Sequence, residues 1–104
     1  MIEATIYKAL GDPLRLEIIV RLSAMSSSTI GELSTNLGIS RQGARKQLQV
    51  LVDANVVHLE QRGRQTHVTL DTKTLEIARS FISQLELKWD SRLEALKHYI
   101  EASD

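Results

Sequence analysis

Leu37-Gly38-Ile39-Ser40-Arg41-Gln42-Gly43-Ala44-Arg45-Lys46-Gln47-Leu48 is the stretch on which the fold turns. Asn36 and Gly38 suit a tight turn, and Gly38 tolerates a positive φ without a Cβ clash. Ser40 is a natural N-cap for the segment that follows. That segment is expected to run as a helix to about Ala54, with Ala44, Leu48, Leu51 and Val52 inward and Asn55 as a left-handed stop. On the other side of the turn, Thr29 followed by Glu32 fits a capping box for a short helix over residues 30–36, whose apolar face is Ile30, Leu33 and Leu37. Two short helices joined by Leu37-Gly38-Ile39 form a helix-turn-helix pattern.

The second of these helices opens with unusual chemistry. Residues 40–47 hold Arg41, Arg45, Lys46, Gln42 and Gln47 close to a helix N-terminus, an end that favours phosphate. Arginine can pair with guanine and glutamine with adenine in the major groove. Arg41, Gln42 and Arg45 are therefore expected at base edges, and Lys46 at the phosphate backbone. Ser40 and Gln47 complete the expected contact set. Gly43 costs about 0.5–1 kcal/mol relative to alanine in a helix; it either admits a close neighbour or is a plain replacement.

Beyond Asn55 the period changes from helical to alternating. Val56, Val57 and Leu59, then Thr66, Val68 and Leu70, read as two strands of a hairpin around Glu60-Gln61-Arg62-Gly63-Arg64-Gln65. Arg62 and Arg64 flank its tip and could enter a minor groove or grip its phosphates. The chain has 13 Lys plus Arg and 13 Asp plus Glu, a formal net charge of zero. The charge is nevertheless segregated. Arg41, Arg45, Lys46, Arg62 and Arg64 oppose only Asp53 and Glu60 in residues 40–67, giving +3, while the flanks carry −1 and −2. Double-stranded DNA is the expected partner.

Toward the N-terminus, Gly11-Asp12-Pro13 separates a short helix (Ile2, Ile6, Ala9, Leu10) from another carrying Leu14, Leu16, Ile18, Ile19 and Leu22. Asp12 suits the N-cap and Pro13 the first helical position. Toward the C-terminus, residues 72–100 contain no Gly or Pro and read as one helix of 29 residues, about 43 Å at ~1.5 Å per residue. Its stripe is Leu75, Ala78, Ile82, Leu85, Trp89, Leu93, Leu96 and Ile100. A 104-residue chain cannot cover such a length, so a two-fold dimer through Ile82, Leu85, Trp89, Leu93, Leu96 and Ile100, widened by Ile6, is expected. Trp89 reads as an interface or core anchor. A homodimer would present two recognition helices about one DNA turn (~34–36 Å) apart and so read an inverted repeat.

The length suits a single domain over 1–104, mainly α with a small β-hairpin wing. Absence of cysteine excludes disulfides, thiolate catalysis and Cys-based metal sites. No apolar run approaches the ~20 residues of a membrane span, and Met1-Ile2-Glu3 does not open a secretory signal. A cytoplasmic protein is expected, with no membrane association.

These segments together resemble the ArsR-type (arsenical-resistance repressor-like) winged helix-turn-helix regulators. Ala9-Leu10-Gly11-Asp12-Pro13-Leu14-Arg15-Leu16-Glu17-Ile18-Ile19 resembles that family's N-terminal segment. Ile30-Gly31-Glu32-Leu33, Leu37-Gly38-Ile39-Ser40 and residues 40–51 resemble its first helix, turn and recognition helix. Asn55 stands in place of the customary glycine, Gln47 where histidine is frequent, and Arg62-Gly63-Arg64 is similar to the wing tip. Trp89, Arg92-Leu93, Leu96 and Tyr99 resemble the tail of a subgroup without the thiolate sensor. The resemblance implies a homodimeric repressor of operator DNA, whose sensory members are released by an inducer or metal ion. The inducer for this chain is unknown.

Metal and catalytic readings are weaker. His98 and Glu101 lie three apart and Asp90 eight before His98, but no complete ligand set is visible; His58 and His67 on the hairpin read as ordinary strand histidines. No nucleophile elbow, phosphate-binding Gly-rich loop or zinc-protease motif is present. Neither cofactor nor enzymatic activity is expected. The alternative reading is a winged-helix protein–protein interaction module that lacks specific operator binding.

Overall fold

A computed structural model describes residues 1–102 of the chain. Residues 103 and 104, the end of the single domain expected over 1–104, lie outside the described residues. The order is α1 (Ile2–Leu10), α2 (Pro13–Ser23), β1 (Ser28–Thr29), α3 (Ile30–Leu37), α4 (Arg41–Asp53), β2 (Val57–Arg62), β3 (Gln65–Leu70) and α5 (Thr72–Ala102). It is a winged helix-turn-helix with a long C-terminal helix.

The helix boundaries follow from their caps. The Asp12 carboxylate accepts from the N–H groups of Leu14 (2.9 Å) and Arg15 (3.1 Å) and starts α2 at Pro13. Thr29 Oγ1 accepts from Glu32 N at 3.1 Å and starts α3. The return arm of the expected capping box is redirected: the Glu32 carboxylate accepts from the Ser28 hydroxyl at 3.4 Å. Ser40 Oγ accepts from Gly43 N at 2.9 Å and starts α4. A Cβ on Gly43 would stand 3.2 Å from that oxygen, which is a local reason for glycine there. Gly38 (φ 67) and Asn55 (φ 60) occupy the left-handed region and end α3 and α4.

The wing is a three-stranded antiparallel sheet in the order β1-β3-β2. Val57 faces Leu70 and Leu59 faces Val68 across the hairpin, with Gly63 (φ 61) at the tip. The short strand β1 was not expected; Ser26-Ser27-Ser28 reads as a polar connection. Ser28 and Thr29 pair with Val68 and His67 of β3, and both are buried. Backbone pairing, not side-chain pattern, makes this strand, so two polar residues can form it.

One core joins all the elements. Ile6, Ile18, Leu33, Leu48, Leu51, Val56, Val57 and Val68 are fully buried in it. Two expectations are corrected. Ile6, placed at the dimer surface, is 0% exposed within a single chain and belongs to the monomer core. Leu16, read with the α2 stripe, is half exposed. It stands about 200° around the helix from Ile18, at ~100° per residue. Only the start of α5, as far as Phe81, is packed, with Thr74 and Ala78 buried. There the Tyr7 hydroxyl donates to the Ala78 carbonyl, and its ring tilts against Phe81 at 5.9 Å. Beyond Phe81 every described residue of α5 is exposed, and the chain extends 71 Å along one axis against 24 and 23 Å along the others. Among the described residues, no helix is long and apolar enough to cross a membrane.

Candidate nucleic-acid interface

Helix α4 buries Ala44, Leu48 and Leu51 and so fixes which residues face outward. At ~100° per residue, Gln42 and Lys46 stand farthest from the core, one turn apart. Arg41 and Arg45, also one turn apart, form the neighbouring row. All four are exposed. Among the described residues, none of Arg41, Arg45, Lys46 and Arg64 takes part in an ion pair. Four full charges are therefore available to an external anion.

The Arg41–Arg45 row turns toward the wing. Both arginines line a small polar cleft of about 90 Å³ with Thr29, Ile30, Gly31, Arg64, Gln65 and Thr66. This cleft brings the start of α3, the recognition helix and the wing to one place. The Arg41 guanidinium lies over Gly31, where an added Cβ would stand 3.2 Å from Nη2.

The two wing arginines separate. Arg62 pairs with Glu60 at 3.1 Å, and this bond holds the Glu60 carboxyl below its usual range. Arg64 lines the cleft instead. Ser40 is exposed, and its Oγ is committed as the α4 cap. Gln47 is half-buried, and its Oε1 accepts from Arg15 Nη1 at 2.9 Å. Arg15 also donates to the Ala9 carbonyl at 2.7 Å and the Lys8 carbonyl at 3.4 Å. The arginine after Asp12-Pro13 thus ties the end of α1 to α4 through Gln47. Sequence reading missed this role; the signal was an arginine three residues past a capping aspartate.

The hairpin histidines do not assemble a ligand set. His58 faces Thr69, His67 faces Glu60, and His58 Nε2 meets Asp71 Oδ2 at 2.6 Å. Asp71 Oδ1 accepts from Thr74 N at 3.0 Å and caps α5. Among the described residues, no group of three His, Cys, Asp or Glu could hold a metal ion.

Comparisons with known proteins match this geometry. The helix-turn-helix domain family matches residues 10–60, which hold α2, α3, α4 and the first part of the wing. The chain is similar to an ArsR-like transcriptional regulator from a Rhodococcus species, at 28% identity and a TM-score of 0.82, over 93% of this chain and 91% of that one. The chain has the winged helix-turn-helix fold of the ArsR-type regulators. The chain is also similar to the transcriptional repressor BigR from Xylella fastidiosa (25% identity, TM-score 0.62, 77% of this chain and 82% of that one). Its fold is shared with the homodimeric winged helix-turn-helix DNA-binding domain of a possible ArsR-family regulator from Mycobacterium bovis (19% identity, TM-score 0.66, 80% and 77%). No curated protein sequence matches the chain significantly. Fold and family together are those of DNA-binding transcription regulators.

Proposed function

We propose that this ArsR-type chain is a cytoplasmic, homodimeric repressor that binds an inverted-repeat DNA operator. The observation that carries the reading is the group of exposed cations, Arg41, Arg45, Lys46 and Arg64, which have no acid partner among the described residues and are gathered on the recognition helix and wing. Ser40, Gln42, Gln47 and Arg62 complete the proposed contact region, Ser40 and Gln47 chiefly by positioning α4. Dimerisation is assigned to residues 72–100 through Ile82, Leu85, Trp89, Leu93, Leu96 and Ile100, which are exposed in a single chain. Such a stripe on a helix that outruns its own domain calls for a partner helix. Repression follows by analogy with BigR, a transcriptional repressor. A gel-shift titration on the DNA upstream of the chain's own gene tests the reading. Tight, salt-sensitive binding that resists random competitor is expected, with a two-fold footprint. Equal binding to random duplex defeats the regulator reading, and one asymmetric half-site bound by a monomer defeats the operator geometry.

A further inference from the structure

We infer that Arg41 and Arg64 hold a single DNA backbone phosphate between the recognition helix and the wing, so that Arg41 positions the protein and Gln42 carries base readout at the start of α4. This inference rests on the DNA-binding reading and deepens it. The two arginines come from different elements, α4 and the end of the wing turn, yet line the same cleft. Arg45, one turn past Arg41, borders it too. No ion pair occupies any of the three among the described residues. Three exposed arginines thus line one cleft that has no Asp or Glu in its lining, which concentrates positive charge where an anion can be received. The cleft is small, about 90 Å³, and polar, and it is open to an approaching phosphate.

The position of Arg41 also weighs against base readout. A base-reading side chain must extend outward from the helix into the groove. The Arg41 guanidinium instead lies over Gly31 at the beginning of α3, and the absence of a side chain at Gly31 leaves room for it. Gln42 points away from the core at the same end of α4 and is exposed. A planar guanidinium matches phosphate oxygens in a fork, whereas the neighbouring amide matches adenine. Phosphate capture by both elements would also fix the wing's angle to the recognition helix in the complex.

The test uses duplexes selected by the wild-type dimer from a random pool, beside a scrambled duplex. Neutral methylphosphonate groups are placed at each backbone position in turn. One neutralised phosphate per half-site should weaken the wild type roughly tenfold, and the same substitution should have a smaller effect on Arg41→Ala and on Arg64→Ala, at the same phosphate in both, and none on the double variant. Arg41→Ala should lose affinity equally on selected and scrambled duplexes, lower the salt slope by about one, and select the same base sequence. Arg41→Lys should restore most of the affinity, since a lysine still binds phosphate as a point charge. Gln42→Ala should change the selected sequence. A shift in base preference on Arg41→Ala, or loss of sensitivity at two different phosphates in the two arginine variants, overturns the inference while leaving DNA binding intact. Failure of the wild type to enrich or bind any duplex overturns the DNA reading itself.

Discussion

Trp89→Ala should separate the dimer without unfolding its subunits. The Trp89 side chain stands on α5 eight residues past the last packed position, Phe81, and is 62% exposed in a single chain. Taking ~230 Å² for a tryptophan, the exposed share is about 140 Å². Covering all of it would contribute at most ~3.5 kcal/mol per protomer at ~25 cal/mol per Å². A two-fold interface counts the residue twice, and half coverage leaves about 3.5 kcal/mol per dimer. At ~1.4 kcal/mol per tenfold, the dimer dissociation constant should rise roughly 300-fold. Sedimentation equilibrium over a range of concentrations measures this directly. Far-UV circular dichroism at high concentration should keep its helical signal, because the residue contributes nothing to the monomer core. A dissociation constant within threefold of wild type would refute the assignment of this stripe to the dimer. Operator binding supplies a second reading. At protein concentrations between the two dissociation constants, the wild type should give a two-fold footprint and the variant none, although no recognition residue has been touched.

Three further perturbations follow from the contacts within one chain. Ser40→Ala removes the α4 cap, in which Ser40 Oγ accepts from Gly43 N; urea unfolding should show a loss of about 1 kcal/mol, and hydrogen exchange should quicken first at Arg41, Gln42 and Gly43. Arg15→Met removes the donors to Ala9, Lys8 and Gln47; it should cost about 1.5–3 kcal/mol in urea, and Gln47→Ala alone should cost less because the α1 carbonyls keep their partner. The Asp71 carboxyl is held below the usual carboxylate range, first by the Thr74 N–H and then by His58. A lowered folded value means stabilisation that is complete above the unfolded carboxylate pKa of ~3.9 and lost as pH falls through the lower folded value. In a His58→Gln background, the stability advantage of Asp71 over Asp71→Ala should be constant above about pH 5 and narrow below ~pH 4; an advantage that grew as pH fell would contradict the assignment.

Most of the element order was legible because it rests on local chemistry. Asp12, Thr29 and Ser40 are capping side chains whose partners lie two or three residues away, and Gly38, Asn55 and Gly63 sit at the turns they mark. What escaped the sequence depends on distant partners. Strand β1 exists because Ser28 and Thr29 meet Val68 and His67, some forty residues later. Ile6 looked like an interface residue because α1 was expected beside α5. The helix does lie there, but its inner face turns Ile6 into the core and leaves Tyr7 to meet Ala78 and Phe81. Gln47 looked like a DNA contact because it follows Lys46 in a polar run. Its half-buried place on α4 and its bond to Arg15 are set by the packing of α1, α2 and α4 together.

The charge balance shows how far counting can carry such a site. A surplus of three over residues 40–67 marks the right region, since α4 and the wing carry the cations. Counting treats Arg62 and Arg64 as equals across Gly63, but the hairpin register does not. Arg62 ends β2 two residues after Glu60, so both side chains emerge on the same face, and their ion pair spends part of the wing's charge. Arg64 lies in the turn itself and is carried toward α4 and α3. The surplus is thus shared unequally, with Arg41, Arg45 and Arg64 at one cleft and Lys46 on the outer row of α4. An exposed pair such as Arg62 and Glu60 is weak and readily exchanged, so Arg62 remains a reserve contact whose use costs Glu60 its partner. Salt dependence should reflect this asymmetry. Arg64→Ala should lower the slope of affinity against salt by about one unit, and Arg62→Ala by less, provided Arg62 stays paired with Glu60 and away from the phosphates and the freed Glu60 carboxylate turns away from the DNA. Equal slopes for the two variants would mean that the wing turn does not hold the register described above when DNA is bound.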